Sequence, residues 1–240
     1  MPLLPFMRRK EPPPIPPIEE WRPQAFGHSH FRNVADPVIE PAWGGVRVLA
    51  RVTRREPNGD AGSVAVTLID EDGLDATPEF EAIATVLGEA ALSDQLIVDG
   101  HLTVEATQET VGREGAMELV SPPPGQIYSH MITGGRTRVP DADRNIDPNR
   151  PIAFVAVDLL MIDGTTLLDL PLIERKRLLD GALKLGELVR VTPFTRPPVG
   201  SFADSWYGLG FRALVYKGAN GRYHPSGTAD DWAVVPIRSR

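Results

Sequence analysis

Residues 152–162 are almost entirely apolar, with valine or isoleucine at four of the eleven positions. A run of that length and composition fits a central strand covered on both faces. A chain that contains it must place other elements above and below it. Asp163 and Gly164 then make a tight turn, and Pro171 opens a helix in which Leu178, Leu179, Ala182 and Leu183 face inward. Strand, turn and helix together, residues 154–183, form the unit on which the rest of the chain is arranged.

Upstream, residues 46–53 alternate, with Val46, Val48, Ala50 and Val52 on one face and Arg47, Leu49, Arg51 and Thr53 on the other. That period predicts a half-buried strand. The turn-rich segment 56–63 leads to a second strand over 64–69, and residues 70–75 form a polar turn. Thr77 is placed to cap a helix with Pro78 in its first turn, Glu79 and Glu81 near its positive end, and Phe80, Ile83, Ala84 and Leu87 as its apolar stripe. A short strand over 95–98 is expected to end at Asp99 and Gly100, with residues 102–106 continuing beyond. Residues 108–150 read as polar loop. Downstream come strands at 188–192, 210–216 and 231–237 and a short helix opened by a capping box at Ser201 and Asp204. Strands and helices mix without strict alternation, which predicts an α+β fold built on antiparallel sheets.

Residues 1–24 are proline-rich, with PPPIPP at 12–17. Such a segment favours an extended, flexible arm, or a docking ligand for a partner protein, ahead of a domain over 25–240. The arm is not a signal peptide, no apolar run approaches the roughly eighteen residues of a membrane helix, and cysteine is absent, so the default compartment is cytoplasmic. A net charge of −7 argues against nucleic-acid binding by the whole surface. Of 25 cationic residues only Lys10, Lys176, Lys184 and Lys217 are lysine, so amine chemistry has very few candidates. His28 and His30 lack further ligands for a metal, and Asp141, Asp143, Asn145 and Asp147 lack the glycine and terminal glutamate of a calcium loop. Gly134 and Gly135 precede no helix pattern that would hold a phosphate, and Ser129 and His130 have no carboxylate at triad spacing.

Phe154, Val157, Asp158, Leu159 and Leu160, the turn Asp163-Gly164, and Pro171, Leu172 and Arg175 resemble the strand, turn and helix of the adenylation (nucleotidyltransferase) domain of ATP-dependent DNA ligases. YKGANGRYHPSGTADDW (216–232) is similar to the block around a later family lysine, and EPAWGGVR (40–47), DGLDATPEF (72–80) and IVDGH (97–101) follow in the family's order. The resemblance spans roughly residues 38–237. It implies a DNA ligase/mRNA-capping-type, ATP-grasp-like fold, here expected without a C-terminal oligonucleotide-binding domain. It also implies ATP as cofactor, a divalent metal such as Mg, DNA as partner, and a setting in DNA repair or recombination. In that family a lysine attacks the α-phosphate of ATP to form lysyl-AMP.

At the lysine's position this chain has Ala42, and at the motif's aspartate it has Gly44, with Gly45 and Arg47 retained. Glu71 stands for an arginine, His101 for a glutamate next to Asp99, and Arg212 for a further glutamate. Val234 and Pro236 stand for two lysines. By resemblance, Phe154 stacks on adenine, Glu40 flanks the base, Arg47 lies near ribose and phosphates, Lys217 contacts phosphate, and Asp99 is a weak metal candidate. The expectation is a ligase-like protein without catalytic activity that retains nucleotide or DNA binding. The alternatives are an interaction scaffold using the fold and the arm, and an active nucleotidyltransferase with Lys217 as a non-standard nucleophile.

Overall fold

The computed structural model describes residues 17–27, 29–54, 64–103 and 152–237. Its main sheet is antiparallel in the order β4-β3-β5-β6-β7, built from β3 (Val46–Arg54), β4 (Val64–Asp70), β5 (Gln95–Thr103), β6 (Ala153–Ile162) and β7 (Thr165–Thr166), with β8 (Val189–Val191) parallel to β6. A second sheet runs β11-β9-β2, from β2 (Pro37–Pro41), β9 (Ala213–Gly218) and β11 (Trp232–Pro236). The two-residue strands β1 (Ala25–Phe26) and β10 (Thr228–Ala229) pair in parallel. Among the described residues three helices accompany them: α1 (Glu81–Ala90), α2 (Leu172–Leu179) and α3 (Gly200–Gly208). Among the described residues, no helix is long and apolar enough to cross a membrane.

The apolar run expected as a central strand is β6, buried from Ala153 to Met161. Asp163 and Gly164 turn it with φ of 45° and 77°, the left-handed pair of a tight hairpin, and β7 returns alongside. One face of the sheet packs against α1, where Val48, Ala50, Leu68, Leu87, Leu96 and Phe154 share a core. The other face carries a second core of Trp21, Leu49, Ile97, Leu160, Tyr223 and Trp232.

Several expectations are corrected. β3 is not half-buried: Leu49 and Arg47, on the face taken as open, are both buried because the second core covers them. β5 does not stop at Asp99 and Gly100 but runs through them. A Cβ on Gly100 would lie 2.4 Å from the Phe154 ring and 2.8 Å from the Val155 carbonyl, so this glycine makes room for a neighbour and does not form a turn. Thr77 does not cap α1: its hydroxyl accepts from the Leu68 amide at 2.8 Å, in a short turn over Thr77–Glu79 that precedes the helix. Ser201 lies inside α3, which begins after Val199 without a side-chain cap. The helix after Pro171 ends at Leu179, although Ala182 and Leu183 are buried as expected. β2 escaped the periodicity reading because proline bounds it at both ends. Residues 17–24 of the expected arm belong to the folded body, since Trp21 is only 1% exposed inside the second core. Residues 1–16, 108–150 and His28 lie outside the described residues.

Candidate functional site

Strand register decides which side chains share a face. Residues paired across an antiparallel ladder point the same way. Arg47 pairs with His101 and Leu49 with Asp99, and Asp99 pairs in turn with Asp158. These residues therefore lie on the face away from α1. Between Asp99 and Gly100 the β5–β6 ladder slips by one residue, so that Gly100 opposes Ala156 and Val157 is left over. A bulge of that kind reverses the alternation. Phe154 and Asp158, four residues apart, consequently fall on opposite faces.

Three carboxylates and four cations meet on the far face, all of them buried. Arg47 grips Asp99 with two bonds, Nε to Oδ1 at 3.0 Å and Nη2 to Oδ2 at 2.7 Å. The Tyr223 hydroxyl donates to Asp99 Oδ2 at 2.8 Å and accepts from the Gln24 amide at 2.8 Å. The remaining end of the guanidinium, Nη1, donates to the Gln24 carbonyl at 2.7 Å and stands 3.7 Å from Glu71. Phe26 and Trp232 lie against the same guanidinium, with ring centroids 5.6 and 5.4 Å from Cζ. Asp158 is held likewise by Arg175, Nε to Oδ1 at 2.9 Å and Nη2 to Oδ2 at 2.8 Å, and Arg175 Nη1 donates to the Gly221 carbonyl.

Glu40 completes the group from β2. Its Oε1 lies 2.5 Å from Lys176 Nζ and its Oε2 3.0 Å from Lys217 Nζ. Lys176 also donates to the Val157 carbonyl at 3.0 Å, and Lys217 stands 4.6 Å from the centre of the Trp232 ring.

Burial alone raises a carboxyl pKa, but the cations outweigh it here. Glu40 is held below its ordinary value by Lys176 and Lys217, and Asp99 by Arg47. Burial pushes the Lys217 ammonium down against the attraction of Glu40, and Lys176 adds to the depression. Burial raises Tyr223 well above the phenol range, so it remains a hydrogen-bond donor. His101 is pushed down to about 3 by burial and by Arg47, which makes it a neutral imidazole.

Of the residues singled out in the sequence, Glu40, Arg47, Lys217 and Asp99 converge. Phe154 does not join them: it is fully buried in the core beneath α1. Arg47 and Tyr223 engage both oxygens of Asp99. Among the described residues no group of three or more histidines and carboxylates could hold a metal ion. Ala42 follows the end of β2, where its amide donates to the Ala213 carbonyl at 3.0 Å. Trp43 turns its indole N–H onto Thr192 Oγ1 at 2.8 Å. His30 caps a short turn by accepting from the Arg32 amide. The glycine pair at 134–135, Ser129, His130 and the 141–147 acids lie outside the described residues.

Sequence reasoning missed Lys176, Gln24 and Tyr223 as members of the site. Lys176 carried a readable signal as one of only four lysines in a chain that otherwise uses arginine. Gln24 carried none, since it falls in the segment read as an arm.

No protein-family model matches the chain. The chain is 27% identical over 205 residues to a probable DNA ligase of Streptomyces coelicolor, an alignment covering 82% of this chain and 34% of that protein. It thus spans about a third of the length of the curated relative it matches. Among solved structures it is similar to the ligase domain of M. tuberculosis LigD, at a TM-score of 0.59 and 20% identity, over 91% of this chain and 60% of that one. It is similar also to mycobacterial DNA ligase D complexed with ATP and MES, at a TM-score of 0.60 with the same identity and coverage. The fold is that of the nucleotidyltransferase domain of ATP-dependent DNA ligases, and the protein is DNA ligase-like.

Proposed function

We propose that this protein is a ligase-like module that does not perform self-adenylation, and that it holds a phosphate-bearing ligand, a nucleotide or DNA, without forming a covalent bond to it. The observation that carries the proposal is Ala42. The first step of the ligase reaction joins a lysine Nζ to the α-phosphorus of ATP and expels pyrophosphate. It needs an amine with a free lone pair at that point, and a methyl group has none. Lys217, the alternative nucleophile, is an ion pair with Glu40, so a proton occupies the position from which its nitrogen would attack. Lys176 is paired with the same carboxylate.

The solved relative bound to ATP is the reason to extend nucleotide binding to this chain, and the ligase likeness is the reason to place it in DNA repair. The proposal is tested by incubating the full chain with α-labelled ATP and Mg, denaturing it, and looking for label on protein. None is expected. Calorimetry with ATP and with nicked duplex then reads non-covalent binding.

The internal pairing of all four site cations favours a second reading, an interaction module whose buried charges serve the fold alone. It predicts no heat with either ligand.

A further inference from the structure

β4 is the outermost strand of the main sheet, and among the described strands it pairs with β3 alone. The Arg54 amide donates to the Asp94 carbonyl on the β5 side, so by alternation Arg51 and Thr53 bond toward β4, and residues 65, 67 and 69 bond back. Residues 64, 66, 68 and 70 therefore direct their backbone outward. Two of them are satisfied there. The Leu68 amide donates to Thr77 Oγ1, its carbonyl accepts from the Ala76 amide, and the Asp70 amide donates to the Leu74 carbonyl. Val64 and Val66 have no such partner among the described residues, which leaves two N–H and two C=O groups open. Open groups on an edge strand are a template for a further strand.

What stands beside that edge is acidic. A Cβ on Gly88 would lie 3.0 Å from Val64 Cγ1 and 3.1 Å from Val66 Cγ2, so α1 crosses β4 at this residue. Glu81, Thr85 and Glu89 occupy the exposed stripe next to Gly88, on the side away from the buried Ala84 and Leu87. Among the described residues neither glutamate has an ion-pair partner, and residues 56–112 contain no lysine or arginine. A strand that fits here carries positive charge on alternate residues. The chain itself supplies one. Arg51, opposite Thr67 of β4, donates to the Ile18 carbonyl, so the N-terminal segment leaves the folded body beside β4. The stretch EPPPIPP (11–17) comes next upstream, and seven extended residues at about 3.1 Å each span roughly 20 Å, against about 4.8 Å from one strand to the next. Beyond it lies FMRRK (6–10), free of proline, in which Arg8 and Lys10 share one face of an extended segment.

We propose that residues 6–10 add to the open edge of β4 as a further strand, bonding Val64 and Val66 through the backbone and setting Arg8 and Lys10 against Glu81 and Glu89. The proline-rich stretch is then the spacer of a tethered strand, and the docking is independent of the ligand reading above.

The test is amide hydrogen exchange on the full chain, read at Val64 and Val66, with the Val98 amide of central β5 reporting intact folding. Both edge amides are expected to be protected. Arg8→Glu/Lys10→Glu should speed their exchange about tenfold or more and leave Val98 unchanged. Adding Glu81→Lys/Glu89→Lys, at two exposed positions, restores opposite signs and should recover the protection. Edge amides that exchange as fast as exposed loop amides in the unaltered chain would overturn the proposal. Protection that charge reversal leaves untouched would do the same. Protection that grows with protein concentration, alongside a dimer in sedimentation, would also overturn it, because the added strand then comes from a second copy.

Discussion

Glu40 is the residue on which the site most depends. It is 1% exposed and separates two ammoniums that would otherwise repel each other at close range. Removing one member of a buried ion group leaves the others uncompensated, at a cost of about 3–5 kcal/mol. Glu40→Ala is therefore expected to lose about that much in urea unfolding. Restoring one charge balance with Glu40→Ala/Lys176→Met should recover part of the loss, and chemical denaturation of the two variants checks it.

Acid should act through the same residues. Glu40 and Asp99 have folded pKa values below their ordinary 4.5 and 3.8. The stability they contribute is complete above those ordinary values and disappears as pH falls through the lower, folded ones. Thermal midpoints should hold down to about pH 5 and then drop steeply below about pH 4, and calorimetric scans across that range would show it. A midpoint unchanged to pH 2 would mean that these ion pairs contribute nothing net.

At the scale of elements, hydrophobic pattern made β3, β4, β6 and α1 legible: β6 is a continuous apolar run, and the others carry apolar residues at strand or helix spacing. The limits of that reading are equally physical. Alternation along β3 identified one buried face, but the second core that covers the other face comes from Trp21 and Trp232, more than twenty residues before and nearly two hundred after. The bulge opposite Asp99 turns Phe154 away from the site, and nothing in residues 153–162 themselves announces it. β2 is bracketed by prolines and has too few residues to show a period.

Two substitutions test this layer. Gly100→Ala places a methyl where the Phe154 ring and the Val155 carbonyl already stand, and should cost about 1–3 kcal/mol as overpacking. Trp21→Ala should cost about 3–5 kcal/mol, as for other buried aromatics, although it lies in a segment whose composition reads as a flexible arm. Urea titrations of both variants measure these losses.

For the whole molecule, the fold is that of a ligase nucleotidyltransferase domain. By the resemblance, Ala42, His101, Arg212 and Glu71 stand where the family has groups of different charge or function, so single reversions are not expected to restore activity. Ala42→Lys restores the amine alone and leaves the other replaced positions as they are. Nick sealing by that variant should remain at background in a gel assay with 5′-phosphorylated nicked duplex. The most direct measurement of the central claim is on the unaltered chain: incubation with α-labelled ATP and Mg, followed by denaturing electrophoresis. The account predicts no label on the protein band. A band that carries AMP through denaturation and is removed by Lys217→Ala or Lys176→Ala would contradict it.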